Sequence, residues 1–533
     1  MLRRAVHRAV GPPLSLLVFV VGTGSLGAEI AAVRLLAPYF GASTIVWANT
    51  IGVVLVALSV GYWLGGRLAD RHPSMEALCL TSLVAAVMLA IVPFAADPLL
   101  GLAVDAIDEI SAGAFLGSLL AVLVLVAVPV LLLGTVSPWA IRLGVRSVEE
   151  AGTVAGRLYA LSTAGSLVGT LMSALVLIPL VGTRRTFLVF ALAIALVSVL
   201  GLRPLRRWAL APAAIVVLIA LPVGTLKAKT EDGGRVIHEA ETEYQYARVV
   251  EYPSGKRTLE LNEGQAEHSV CEAECDAGPA GPRDPSSVLT GNYWDDLLVD
   301  FFAGGRPAQA PGGARRAATT FMPRRVAILG NAAGTTSRAY EEFFPRTRVD
   351  GVEIDPELSA IGRRYFDMNN PRLHLYHEDA RPFMRRIDAR YDVVSVDAYR
   401  QPYIPFYLTT KEFFESVRDR LARGGVLLMN VGHPEGEDGL EKVLSATVGQ
   451  VFAHVLRDPI KDTNTVLIAS DAPLSAARMN RVEPALPPAL RPTAEAAAQR
   501  LARPLRGGDV YTDDKAPVEW LVDKSIIDYA SGE

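Results

Sequence analysis

The feature that most constrains this chain is its charge-free beginning. From Leu14 to Val60 the only formal charges are Glu29 and Arg34. A run this apolar needs lipid or a very large core around it, and a helix crosses hydrocarbon with about 20 such residues. Seven apolar runs follow one another, at about 14–37, 45–66, 77–99, 113–136, 153–181, 186–202 and 208–224. The sixth and seventh are short, and the seventh carries Pro212 and Pro222. We therefore expect a multi-domain protein whose residues 1–225 form an α-helical transmembrane bundle, multi-pass in the cell membrane, with the lipid bilayer as its partner. Composition agrees: 50% of the 533 residues are hydrophobic and mean hydropathy is +0.28. The net charge of −4 and the absence of a basic stripe point away from nucleic acid. The start, MLRRAVHRAVGPP, could open a signal peptide, but further apolar runs follow at once, so it reads as a retained first helix.

Basic residues set the expected topology. Arg3, Arg4 and Arg8 mark the N-terminus as cytoplasmic, and the turns with Arg67/Arg71, Arg142/Arg146 and Arg203/Arg206/Arg207 fall on the same side. Arg184/Arg185 fall on the other side. Seven crossings then leave the remaining chain outside, whereas a domain using a cytosolic nucleotide belongs inside. We expect one run not to cross and the catalytic domain to be cytoplasmic. Glu29 and Arg34 sit inside the first run, as an internal ion pair or a polar path. Gly22/Gly24/Gly27, Gly61/Gly65, Gly152/Gly156 and Gly165/Gly169 recur at helical spacing and would let helices approach closely. The stretch Gly61 to Arg71 resembles the loop signature of major-facilitator transporters, although seven runs are too few for that fold.

After about residue 225 the composition changes. Residues 235–270 alternate around the turn Pro253-Ser254-Gly255, which predicts one or two β-hairpins in a small domain over 235–300. Residues 271–290 read as a loop and 303–320 as a Gly/Ala/Pro linker, while 471–510 show no usable pattern. Of the three cysteines, Cys79 reads as a small core residue. Cys271 and Cys275 have only His268 near them, too few ligands for zinc, so no metal is expected. A local disulfide between them would need an oxidising compartment.

From residue 324 the pattern becomes β-α-β and predicts a Rossmann-like catalytic domain over 321–530 with a doubly wound, parallel sheet. Strands are expected at 326–329, 349–354, 373–377, 391–396 and 426–430. In such sheets ligands bind beyond the carboxyl ends of the strands. Gly330, Glu353, Asp379 and Asp397 stand at four successive strand ends and should line one edge. The turn Gly330-Asn-Ala-Ala-Gly334 lets backbone approach a ligand, and the following helix start attracts negative charge. Glu353, 23 residues after Gly330, is spaced like an acid that accepts the ribose hydroxyls. Asp379 is placed to accept from an adenine amino group. The turn lacks the G-x-G-x-x-G phosphate fingerprint and any P-loop lysine, which favours S-adenosyl chemistry over NAD.

These residues resemble the spermidine synthase (polyamine aminopropyltransferase) family, specifically its membrane-fused bacterial members. Glu243-Tyr-Gln245 with Leu259 to Gln265 resembles the hairpin domain leading into "L-D-G-x-x-Q", and Tyr293-Trp-Asp295 the following "Y-H-E". Ile328 to Thr335 resembles "G-G-G-D-G-G", Val352-Glu-Ile-Asp355 "V-E-I-D", Glu378-Asp379-Ala380 "D-D-A/G", and Val396-Asp397 the start of "D-S-S-D-P". Thr512-Asp-Asp514 with Ala516-Pro517 resembles a C-terminal element of membrane-fused relatives. The resemblance implies a transferase in polyamine biosynthesis that moves an aminopropyl group from decarboxylated S-adenosylmethionine to a small-molecule amine such as putrescine. It implies Asp397 as the residue that orients and deprotonates the amine, with Gln265, Tyr293 and Asp295 completing the amine pocket. Soluble relatives are often dimers, so a homodimer is a partner to consider.

Two positions depart from the family pattern. Ala333 stands where the turn acid would pair with the aminopropyl ammonium, and Arg400 where "D-S-S-D" has its second acid. Each change removes an anion from a site for cations, and Arg400 could instead hold a carboxylate bidentately. Ordinary S-adenosylmethionine carries such a carboxylate. A methyl- or carboxypropyl-transferase is therefore a second reading, and a non-enzymatic polyamine or nucleoside sensor or transporter a third.

Overall fold

The computed structural model describes residues 12–40, 44–110, 113–221, 230, 233–262, 266–272, 275, 285–304, 322–399 and 403–531. The chain divides into two compact units, Met1–Ala228 with Glu241–Gln245, and Lys229–Ala240 with Tyr246–Glu533.

The first unit is helical: α1 (Leu14–Phe40), α2 (Thr44–Arg71), α3 (Met75–Ile110), α4 (Gly113–Val122), α5 (Val128–Gly134), α6 (Val136–Gly144), α7 (Ala151–Met172), α8 (Ile178–Val199), α9 (Leu205–Trp208) and α10 (Leu210–Ala220). Short π-helical turns join α4 to α5 and α7 to α8. Five helical stretches are long and apolar enough to cross a membrane: Leu14–Phe40, Val46–Arg71, Met75–Ala96, Gly117–Gly144 and Ala151–Val199. The fifth combines two expected runs. It breaks at Gly182, whose φ of 81° no helix contains. The seventh expected run is corrected: α10 has 11 residues, about 16 Å of helix against about 30 Å of hydrocarbon.

Small residues bring α1 and α7 into backbone contact. A Cβ on Gly165 or Gly169 would lie 2.2 Å from the Phe19 carbonyl oxygen or 2.0 Å from that of Thr23. Ser173 Oγ donates to the Gly27 carbonyl (3.0 Å). Gly61 and Gly65 do the same for α2 against Leu131 and Thr135. Gly152 and Gly156 face open space, so their expected packing role is corrected. The Gly61–Arg71 stretch is likewise a continuous part of α2 rather than a loop.

The second unit holds two sheets. The first has the order β1-β2-β3-β4, from Arg235–Glu241, Tyr246–Glu251, Arg257–Leu261 and Glu267–Cys271. Tyr252 to Lys256 turn β2 back onto β3, as the alternation and the Pro-Ser-Gly turn predict. A buried ion pair, Arg248 with Glu260 at 2.5 Å, bridges β2 and β3.

The second sheet has seven strands: β5 (Arg325–Leu329), β6 (Arg348–Val352), β7 (Leu373–Tyr376), β8 (Tyr391–Val396), β9 (Leu421–Gly432), β10 (His454–Lys461) and β11 (Asn464–Ser470). Their order is β10-β11-β9-β8-β5-β6-β7. β5 to β9 run parallel, as expected. The expected all-parallel sheet is corrected at its edge, where β10 and β11 form an antiparallel hairpin against β9. Alternate residues feed two cores. Leu329, Val394, Val396, Leu427 and Met429 meet Phe383, Phe413 and Phe414 on one face. Val326, Ile328, Val393 and Leu428 meet Phe301, Phe302 and Tyr340 on the other. Burial on both faces explains the near-continuous apolar strands. The 471–510 segment contains the helices Ala476–Val482 and Arg491–Arg500.

Candidate functional site

Strand register builds the site. Leu329 pairs with Val352 and with Val396, Val352 with Tyr376, and Val396 with Met429. One residue beyond this row stand Gly330, Glu353, His377 and Asp397, just past the carboxyl ends of their strands, and Asn430, two residues before the end of β9. The chain runs outward from β5 to β7 and then returns to β8, so the reversal that makes an open crevice lies between β5 and β8.

Gly330 sits at that reversal with φ 90°. A Cβ there would lie 2.3 Å from the Asp397 carbonyl oxygen, so only glycine fits. Gly334, φ 92°, caps the helix Thr335–Phe343 in the left-handed conformation. The turn between them presents its backbone to Glu353, whose Oε2 accepts from Ala332 N (2.9 Å) and whose Oε1 accepts from Asp355 N (3.0 Å). Burial pushes the Glu353 carboxyl up to about 7, against the opposing pull of those N–H groups.

The small sheet is welded to the same turn. Ser269 Oγ accepts from Ala333 N (3.0 Å), and Thr335 Oγ1 accepts from Val270 N (2.8 Å). Arg338, buried, donates to the carbonyls of Val270 and Phe366, both at 2.8 Å. Cys271 and Cys275 are joined by a disulfide at the end of β4.

Asp397 is buried and held at both oxygens. Tyr293 Oη donates to Oδ2 (3.0 Å) and Asn430 Nδ2 to Oδ1 (2.9 Å). Asn430 is itself fixed by Asn464 Nδ2 on its side-chain oxygen (3.0 Å) and by Tyr399 Oη on its backbone carbonyl (3.1 Å). Burial raises the Asp397 pKa above the usual carboxylate value, while the donors from Asn430, Tyr293 and Trp294 pull it down. Tyr293 is driven well above an ordinary phenol by burial and by the Asp397 charge.

Asp379 caps the helix Ala380–Arg386: Oδ1 accepts from Arg381 N (2.8 Å) and Oδ2 from Tyr407 Oη (2.7 Å). Arg381 in turn pairs with Asp513 (2.5 Å), which also accepts from Thr410 (2.8 Å). The C-terminal Thr512-Asp-Asp514 element thus braces the loop that carries Tyr407.

The expected residues divide. Gly330, Gly334, Glu353, Asp379, Asp397 and Tyr293 gather along one rim. The Asp295 carboxylate accepts from the backbone of Thr290 (2.9 Å) and Gly291 (2.8 Å) and organises that loop. Gln265 and Arg400 lie outside the described residues, as do most of the 271–290 and 303–320 segments. Asn430, Asn464, Tyr399 and Tyr407 were not anticipated. Asn430 alone carried a signal, as the residue ending a fifth parallel strand.

Residues 316–460 match the family model described as "Spermine/spermidine synthase domain". Over 267 residues it is 31% identical to a "Probable polyamine aminopropyl transferase" of Bifidobacterium longum (strain NCC 2705), covering 45% of this chain and 56% of that protein. Over 182 residues it is 33% identical to a "Polyamine aminopropyltransferase" of Vibrio vulnificus (strain CMCP6), covering 32% and 59%. The chain thus spans less than two thirds of these relatives. A solved structure of a probable spermidine synthase from Corynebacterium glutamicum ATCC 13032 is 22% identical with a TM-score of 0.36, covering 52% of this chain and 99% of that one. The matched residues 316–460 lie in the half of the chain that holds the rim.

Proposed function

We propose that the synthase domain transfers an aminopropyl group from decarboxylated S-adenosylmethionine to a small amine. The supporting observation is Asp397: a buried carboxylate, oriented by Tyr293 and Asn430, next to a glycine turn that no side chain could enter. The rim suits an adenosyl group. Gly330 lets the turn lie against the Asp397 backbone, and the Glu353 carboxylate, already oriented by two N–H groups, has lone pairs left for ribose hydroxyls. Asp379 stands at the same edge.

The chemistry needs a neutral amine. An alkyl ammonium holds its proton at pH ~10 and a free aspartate at ~4, so Asp397 in water would be a weak base toward it. Burial narrows that gap from both sides, because it raises the acid and disfavours the ammonium. Asp397 takes or relays the proton. The amine lone pair then attacks the propyl carbon beside the sulfonium, the new C–N bond forms, and the C–S bond breaks. Its electron pair returns to sulfur, which leaves as the neutral thioether 5′-methylthioadenosine.

Ala333 supports a second reading. It is fully buried and gives its N–H to Ser269, so the turn brings no carboxylate to an aminopropyl ammonium at that position. This favours a co-substrate that keeps its own carboxylate, as ordinary S-adenosylmethionine does, for methyl or carboxypropyl transfer.

One experiment separates the two. Purified full-length protein is given either co-substrate with a panel of di- and polyamines, and products are identified by mass. Methylthioadenosine plus an amine heavier by an aminopropyl group, only with the decarboxylated form, is the expected result, and Asp397→Asn should lower its rate by about 10²–10⁴-fold. S-adenosylhomocysteine, or a carboxylated product from the ordinary form, would establish the second reading.

A further inference from the structure

The parallel sheet has a second edge. The rim lies at the carboxyl ends of its strands, and the amino end of β9 lies on the other side. There the helix Lys411–Arg420 runs directly into β9. β11 runs antiparallel to β9 and finishes at the same edge, with Ala469 against Leu427, and the helix Ala476–Val482 follows it. These segments, with Phe452 just before β10, line a cleft of about 520 Å³. Small-molecule sites measure roughly 300–1,000 Å³. Gly425 in the cleft and Asn430 at the rim both belong to β9, about 16 Å apart at the rise of a strand. The cleft is therefore separate from the site around Asp397.

The charge of the cleft is unlike that of the chain. Arg418, Arg423 and Arg478 line it with one acid, Asp471, whereas the whole chain carries −4. Three guanidiniums against one carboxylate leave two positive charges in excess. Arg418 is held by the Val451 carbonyl, which accepts from Nη1 at 3.1 Å, and that uses one of the N–H groups of its fork. Arg478 donates to the Pro473 carbonyl. Asp471 Oδ1 accepts from Ala453 N at 3.4 Å, and no arginine pairs with it among the described residues. Arg423 is exposed and has no hydrogen-bond or ion-pair partner among the described residues.

A guanidinium fork matches the oxygens of a phosphate with two parallel hydrogen bonds. A phosphate monoester carries about two negative charges at pH 7, which matches the excess in the cleft. A carboxylate would cancel half of that excess, and a polyamine would be repelled. We propose that this cleft is a second ligand site, which binds a phosphate group carried by a small soluble molecule or by a lipid headgroup. It recognises an anion, whereas the substrates proposed for the rim are cations, and it does not depend on the reaction at Asp397.

The test is calorimetry on the purified full-length protein in maltoside detergent and chloride buffer, with no activity readout. Inorganic phosphate and glycerol 3-phosphate should each bind at one saturable site with a Kd below about 1 mM. Arg423→Glu, at an exposed position, should weaken both by about 10-fold or more, and Arg478→Glu likewise. Arg372→Glu makes the same charge change at an exposed position outside the cleft and should leave both unchanged. Should Arg478→Glu not fold, Arg423→Glu carries the test, with its unfolding midpoint compared with that of the unsubstituted protein. Dihexanoyl phosphatidic acid separates the two sources. Binding about 10-fold tighter than glycerol 3-phosphate, and lost in Arg423→Glu, assigns the site to a lipid headgroup, and equal binding assigns it to a soluble ligand. No saturable heat up to about 10 mM phosphate, an affinity unchanged in Arg423→Glu, or an equal loss in Arg372→Glu would each overturn the proposal.

Discussion

Asn430 illustrates how one amide can govern an acid. It gives its N–H to Asp397 Oδ1 while Asn464 holds its side-chain oxygen and Tyr399 its backbone carbonyl. Asn430, Tyr293 and Trp294 stabilise the ionised acid by donating to it and so oppose the effect of burial. Asn430→Ala should therefore raise the Asp397 pKa further. A base must be ionised to act, so the acid limb of the pH–rate profile should move to higher pH, with activity at pH 7 down by about 10-fold and largely recovered at pH 9. A merely structural role for Asn430 would lower the rate without moving the limb. Glu353 titrates in the same sense. Its native pKa of about 7 exceeds its ordinary 4.5. The stability it contributes is thus present below 4.5 and lost as pH rises through 7. A ligand that offers hydroxyls selects the ionised form, so calorimetry should show adenosyl binding that tightens severalfold between pH 6 and 8 and flattens in Glu353→Gln.

At the scale of elements, what could be read in advance follows from how much of each signal is local. β5 to β9 were legible because burial on both faces writes unbroken apolar runs, and strand ends carry a glycine or an acid. The β10–β11 hairpin was not: Pro459 and the charges of Arg457, Asp458 and Lys461 break the apolar run that would mark an edge strand, although its partner β11 follows at once. Asp295 has a local role that its motif position does not show. Its motif position looks functional, but a short carboxylate beside a turn also satisfies the backbone of its own loop. A further cluster escaped notice because its members are far apart in sequence. Asp296, Asp300 and Asp458 surround Arg500, which binds Asp458 at 2.7 Å and Asp296 at 2.6 Å. Three buried acids face one guanidinium, so burial raises all three, and the charges of neighbouring acids add to it at Asp296 and Asp300. Raised acids stabilise below their unfolded pKa and lose that contribution as pH climbs. Asp300→Asn should leave stability at pH 4 nearly unchanged and add about 1–2 kcal/mol at pH 8, as read from denaturation midpoints. Equal effects at both pH values would remove the cluster as the cause.

At the scale of the whole molecule, the two units have separate cores and should lose structure separately. In detergent, calorimetry should resolve two transitions. Gly330→Ala, which strains a φ of 90° and drives a Cβ into the Asp397 carbonyl, should lower only the transition of the second unit, by a few kcal/mol. Gly169→Leu, which forces α7 away from the Thr23 carbonyl of α1, should lower only that of the bundle. A single transition shifted alike by both would show the units to be one cooperative body.

The paired register of the sheet also sets a ruler. Adjacent strands are spaced by about 4.8 Å, and the rim reads Glu353, Gly330, Asp397, Asn430 across β6, β5, β8 and β9. A nucleoside anchored at Glu353 would reach Asp397 two rungs away, roughly 10 Å, and no loop movement can alter that interval. Discrimination among acceptors of different length must then come from the flanking loops, since the spacing between the anchor and the acid is built into the hydrogen-bonded ladder itself.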